Sequence, residues 1–241
     1  MRTPLLRIAS LILLVHGGVA CRSTGSAVSD PVFQFAFLVR GDSTANRSDQ
    51  ERQATQAAHM ANIQRLADEK KLLVAGPFGD GNPHPEARGI FLFDTADEAT
   101  ARAWTSSDPA VQQRVLAMEL CSLQTPANAR HAYELDQAMR ADLKARGEEP
   151  SFANTLRGYV MYFGRDAGSS ERALATLRTQ GKVLLGGPLA GSKRANYLAV
   201  LDAETVDAAN ALLGERAAEC GEHELVSWWS TRALTGLAAM R

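Results

Sequence analysis

"KLLVAGPF", residues 71–78, sets a charged residue before a short apolar run and stops the run with Gly76-Pro77. A run of that length ending in a turn signal reads as a buried strand. Gly admits backbone angles that other residues avoid, and Pro removes a ladder donor. The pattern returns 111 residues later as "KVLLGGPL" over 182–189. That interval is long for a solenoid unit and fits a whole small domain. The chain reads as one fold written twice.

Working outward, "VFQFAFLVR" (32–40) has strand-like alternation, and Ser48-Asp49-Gln50-Glu51 has the spacing of a capping box that opens a helix running to about Lys70. His59, Ile63 and Leu66 share one face of that helix. "GIFLFD" (89–94) gives a third strand, and Thr95-Ala96-Asp97-Glu98 reads as a second capping box before a helix through Trp104. "VLAMELCSL" (115–123) completes the order β-α-β-β-α-β, the split ferredoxin-like motif. "RGYVMYFGR" (157–165), "NYLAVLDAETVDAANALL" (196–213) and "HELVSWWS" (223–230) repeat the same order. Between the copies, Leu135, Met139 and Leu143 form the apolar stripe of a charged linker helix. A sheet with both helices on one face leaves its other face apolar, and two copies can cover each other.

The composition is that of an ordinary globular protein, and a formal net charge of −1 gives no reason to expect nucleic acid as a partner. The N-terminus differs: Arg2 and Arg7, the apolar "IASLILLV" and small residues up to Ala20 have the layout of an export signal. Cys21 after Gly18-Val19-Ala20 resembles a bacterial lipobox, which implies a lipid anchor on the periplasmic side of a membrane; ordinary cleavage after Ala20 is the alternative. Cys121 and Cys220 are the other cysteines, either paired or buried as free thiols. The histidines are scattered, and no metal site or cofactor is expected. The chain divides into a signal segment (1–20), a tether (21–31), a first domain (32–125), a linker helix (126–150) and a degenerate second domain (151–241).

"AHMANIQRLADEKKLLVAGPFGDG", followed by "RGIFLFD" and "WTSSDPAV", resembles the YCII-related family. The resemblance covers residues 32–123 and, more faintly, 156–231. It implies an α+β fold in which tandem ferredoxin-like β-α-β-β-α-β domains pack as a dimeric α+β barrel. Family members are usually homodimers, so this chain resembles a fused pseudo-dimer. The resemblance also implies an active-site pair, His59 on the helix and Asp108 in the Asp-Pro turn, and one branch of the family acts as a dehydrochlorinase.

An imidazole oriented by a carboxylate is a general acid or base suited to neutral pH. Each residue has a structural reading as well. A sheet-facing histidine is often a packed core residue, and Asp108 before Pro109 makes a good N-cap. In the second copy Ser170 takes the place of His59 and Arg216 that of Asp108, so the pair is lost together while the fold pattern persists. Phe78, Gly79 and Arg88 border the loop after Gly-Pro and are candidates for lining a pocket or clamping an anion, against the alternative of a solvated hairpin loop. Three functions are carried forward: acid/base chemistry on a small molecule, binding of a small ligand without turnover, and an envelope scaffold.

Overall fold

The computed structural model describes residues 30–43 and 47–240. The expected signal segment, Cys21 and most of the tether lie outside the described residues. The first half runs β1 (Val32–Arg40), α1 (Asp49–Asp68), β2 (Leu72–Pro77), β3 (Ala87–Phe93), α2 (Glu98–Ser106), α3 (Pro109–Gln112) and β4 (Leu116–Gln124). A 3-10 turn leads into α4 (Ala132–Ala145) and the one-turn helix α5 (Phe152–Thr155). The second half runs β5 (Leu156–Gly164), α6 (Ala167–Thr179), β6 (Val183–Ala190), β7 (Tyr197–Leu201), α7 (Val206–Leu213) and β8 (His223–Thr231), followed by a 3-10 segment, Arg232–Met240. Each half therefore traces β-α-β-β-α-β, with its helices on one face of an antiparallel sheet.

The halves join into one eight-stranded sheet in the order β2-β3-β1-β4-β6-β7-β5-β8. It curls until β8 returns to β2 through the bridge Phe78↔Trp228, so the barrel is nearly closed. β1 is apolar on both sides because both sides are covered. Phe33, Phe35, Phe37 and Val39 enter the barrel, while Ala36 and Leu38 face the helices.

Two seams hold the halves together, and the repeated Gly-Pro lies at both. At one seam Leu123 pairs with Leu189, and Gly186 N–H donates to Thr125 Oγ1 at 2.9 Å. At the other, Gly79 N–H donates to Ser227 O at 2.7 Å and Ser230 Oγ to Ala75 O at 2.8 Å. Gly187 lies against the carbonyl of Gln124, and Gly76, its counterpart 111 residues earlier, against that of Trp229. The recurrence of "AGPF" as "GGPL" thus has a packing cause: a strand of one half approaches the backbone of the other too closely for a side chain.

The barrel ends differ. At the Phe33/Tyr159 end, Ala129, Ala132, Leu234 and Leu237 join the interior core, and Asn128 Nδ2 donates to Leu237 O at 2.9 Å. The linker helix and the C-terminal segment thus plug that end. At the Phe37/Phe163 end a cavity remains. The Ser48 capping box is present as expected. The expected box at Thr95 is not: Asp97 caps α2, accepting from Thr100 N–H at 2.8 Å, and Thr95 Oγ1 instead accepts from Asp97 N–H. A charged carboxylate at a helix N-terminus outcompetes the hydroxyl two residues before it.

Cys121 and Cys220 are buried free thiols. Burial pushes the Cys121 thiol up from 9.0 to about 12, and the phenols of Tyr159, Tyr162 and Tyr197 also rise, chiefly through desolvation. In alkali the unfolded chain releases these protons while the folded one keeps them, so stability falls as pH climbs above the unfolded values of 9.0 and 10.0. Urea unfolding should show a loss of about 1.4 kcal/mol per pH unit for each ionising group. An unfolding midpoint constant from about pH 8 to about pH 11 would contradict this burial.

Candidate functional site

Helix α1 is unusual in what it buries: Thr55, His59, Asn62 and Leu66, three of them polar. Packing alone would favour apolar residues on that face. The His59 ring stacks on Phe91, with centroids 6.0 Å apart and planes at 14°, so it lies between helix and sheet on the outer face of the barrel. Asp108 comes from the α2–α3 junction and is 0% exposed. Its Oδ1 accepts from Ala110 N–H at 2.8 Å, capping α3 with Pro109 in the first turn, and its Oδ2 lies 2.7 Å from His59 Nδ1. One carboxylate therefore performs both roles that the sequence suggests, helix cap and histidine partner.

The pair sits in a polar seam between α1 and α3. Arg47 donates to Thr55 Oγ1 at 2.8 Å and to Gln113 Oε1, which also accepts from Thr55 Oγ1. Three residues beyond His59, Asn62 Oδ1 accepts from Arg65 at 2.7 Å and from Ser107 Oγ at 3.2 Å, which fixes the orientation of its amide. Asn62 Nδ2 and Arg47 Nε are then buried without a hydrogen-bond partner among the described residues. Buried donors are almost always satisfied in native folds, so these two atoms leave unused hydrogen-bonding capacity in the seam.

The equivalent place in the second half is filled. By strand register Ala36, opposite Phe91, corresponds to Tyr162, opposite Ala199. The Tyr162 hydroxyl lies 3.0 Å from Ser170 Oγ, which donates to Asp166 O at 2.7 Å, and His223 stacks on the Tyr162 ring. Exchanging alanine for tyrosine beneath the helix occupies the volume that the histidine holds in the first half. Arg216 stands in the 3-10 turn Gly214–Ala218 after α7.

The other sequence candidates separate. Phe78 lines the cavity of about 210 Å³ at the open barrel end. Gly79 instead packs against Ser227 at the seam, and exposed Arg88 lies outside the cavity lining. Residues 78–87 border the barrel mouth: Phe78, Asn82, His84 and Ala87 line the cavity, while Asp80, Gly81, Pro83, Pro85 and Glu86 are exposed as in the solvated-loop reading. Asn82 pins them through His84 O at 2.8 Å and Ala87 O at 2.9 Å, and His84 Nε2 lies 2.7 Å from Glu224 Oε2. Sequence reasoning missed the second half's share of this cavity, including Phe163, Arg165 and Lys193. Strand register, not the aligned sequence, makes Phe163 the counterpart of Phe37: Phe37 lies opposite Ile90 and Phe163 opposite Leu198. Among the described residues no cluster of His, Cys, Asp or Glu could hold a metal ion, and no helix is long and apolar enough to cross a membrane.

Fold and site together define an α+β barrel protein. Residues 34–120 match the family model of the YCII-related domain. The chain is also similar to a variant of chlorite dismutase from Candidatus Nitrospira defluvii, with a TM-score of 0.50, 14% identity, and coverage of 88% of this chain and 96% of that one. A second variant of the same enzyme gives a TM-score of 0.49 at 14% identity, covering 86% and 94%. At such identities the likeness is one of fold. No curated protein matches the sequence.

Proposed function

We propose that this YCII-related protein carries out acid/base chemistry on a small molecule, with His59 as the proton-transferring group and Asp108 as its orienting carboxylate. The observation that carries the proposal is the 2.7 Å contact between His59 Nδ1 and a fully buried Asp108 already fixed by Ala110 N–H. An ionised carboxylate only accepts, so Nδ1 carries the proton and Nε2 keeps its lone pair. Nε2 has no protein partner among the described residues. It would take a proton from a hydroxyl or an activated C–H of the substrate, and Asp108 would balance the charge of the imidazolium that forms. The same proton can return to a leaving group, which suits elimination or hydrolysis. Asn62 Nδ2, one helical turn away, would donate to an oxygen of the bound molecule. In the same reading the protein is exported and anchored through Cys21.

The test is turnover by the purified chain of a panel of chlorinated hydroquinones, β-substituted carbonyl compounds and aryl esters, followed by chloride or product release. His59→Gln should lower the rate by about 10²- to 10⁴-fold while leaving the fold intact by circular dichroism. Saturable binding without product would support a ligand-binding protein instead. Turnover unchanged in His59→Gln would remove the histidine from the chemistry.

A further inference from the structure

The open end of the barrel is a place where a small molecule fits, separate from His59. The two lie on opposite faces of the sheet: Phe91 beneath His59 faces the helices, whereas Phe37 faces the barrel interior. The cavity of about 210 Å³ draws its lining from both halves. An apolar cavity of about 150 Å³ already accommodates benzene. Its apolar wall is aromatic: Phe163 meets Phe37 at 5.7 Å and Phe78 edge-on at 6.2 Å, with Val226 beside them. Such rings favour a flat aromatic guest through offset and edge-to-face contacts.

The rim carries charge. Arg194 is committed, bonding Glu119 at 2.7 Å and Glu86 at 2.9 Å and resting over the Phe37 ring. Arg165 is held loosely, 3.6 Å from Glu222 and 4.0 Å from Glu224, beyond hydrogen-bond length. Lys193 also lines the cavity and makes no ion pair among the described residues. Glu224 faces the same space with His84 on it, and a second negative charge on a guest would be repelled there.

We propose that the barrel mouth binds a small monocyclic aromatic carboxylate, its ring among Phe37, Phe78 and Phe163 and its carboxylate against Lys193 and Arg165. Both halves build the site: each supplies part of the aromatic wall, and the second supplies the cations. A ligand of this kind fits the shape of the cavity, and its single charge meets a cation not otherwise neutralised.

Calorimetric titration of the full chain with benzoate, phenylacetate and 4-hydroxybenzoate tests the assignment, with benzamide as the neutral control. At least one acid should bind saturably and benzamide more weakly. Lys193→Gln should weaken binding about tenfold. Phe78→Leu should weaken it as well, and His59→Gln should leave it unchanged. Saturable binding of none of the acids would overturn the proposal, and so would equal affinity for benzamide. Binding that survives Lys193→Gln but is lost in His59→Gln would place the acid at the histidine and overturn it too.

Discussion

Asp108→Ala should lower stability to urea by about 3 kcal/mol, while Asp108→Asn lowers it by less than about 1 kcal/mol yet abolishes proton transfer. The alanine variant loses two things at once. It leaves Ala110 N–H uncapped, and it strands His59 Nδ1 without a partner between helix and sheet. A lost cap costs about 1 kcal/mol and a stranded buried group about 1–3 kcal/mol. Asparagine keeps the Oδ1 acceptor for Ala110 and presents an N–H where Oδ2 was, so His59 must accept at Nδ1 and carry its proton on Nε2. The lone pair that would act as base is then gone although every hydrogen bond survives, the same logic by which the amide variant disables a Ser-His-Asp triad. Nitrogen NMR of His59 reads the tautomer without any substrate. A wild-type spectrum showing the proton on Nε2, or an unchanged tautomer in Asp108→Asn, would sink the proposed role of Asp108.

That experiment also shows how stability alone would mislead. Read from the sequence, Asp108 is either a helix cap before Pro109 or the partner of a histidine, two roles that an unfolding experiment is expected to separate. In the structure the two oxygens divide the work, so a destabilised Asp108→Ala follows from either role. His59 is the more informative of the two, because its helix would pack better with leucine there. Much of the site was legible because it depends on local chemistry: helix spacing turns His59 toward the sheet, and Asp-Pro fixes a corner. The barrel mouth was not legible. Its wall brings Phe37 against Phe163 and sets Phe78 and Val226 around the same cavity, pairs more than a hundred positions apart that no local pattern encodes. The filling of the second site by Tyr162 was equally hidden, since the residue that replaces the histidine's volume lies on a neighbouring strand and not at Ser170.

Gly76→Ala and Gly187→Ala should each destabilise the protein by about 3 kcal/mol or more. A Cβ at Gly76 would stand 1.9 Å from the Trp229 carbonyl oxygen, and one at Gly187 2.0 Å from that of Gln124. Both obstacles are backbone atoms of a strand in the other half, so no rotamer change relieves the clash and the seam itself must part. At the seam between β2 and β8 this also breaks the 3.0 Å bond from Trp228 Nε1 to Gly76 O and exposes an indole that is otherwise fully buried. Tryptophan emission should therefore shift to the red in Gly76→Ala but not in Gly187→Ala, although both lose stability. Gly147→Ala is the control: its φ of +78° strains alanine, but nothing lies within 4 Å of the added carbon. It should cost only about 1 kcal/mol. If the seam variants prove no worse than Gly147→Ala, the halves do not hold each other through these strands and the barrel is not the unit that folds. If both collapse, the recurrence of one Gly-Pro turn 111 residues apart records a requirement of joining two halves rather than of building either one.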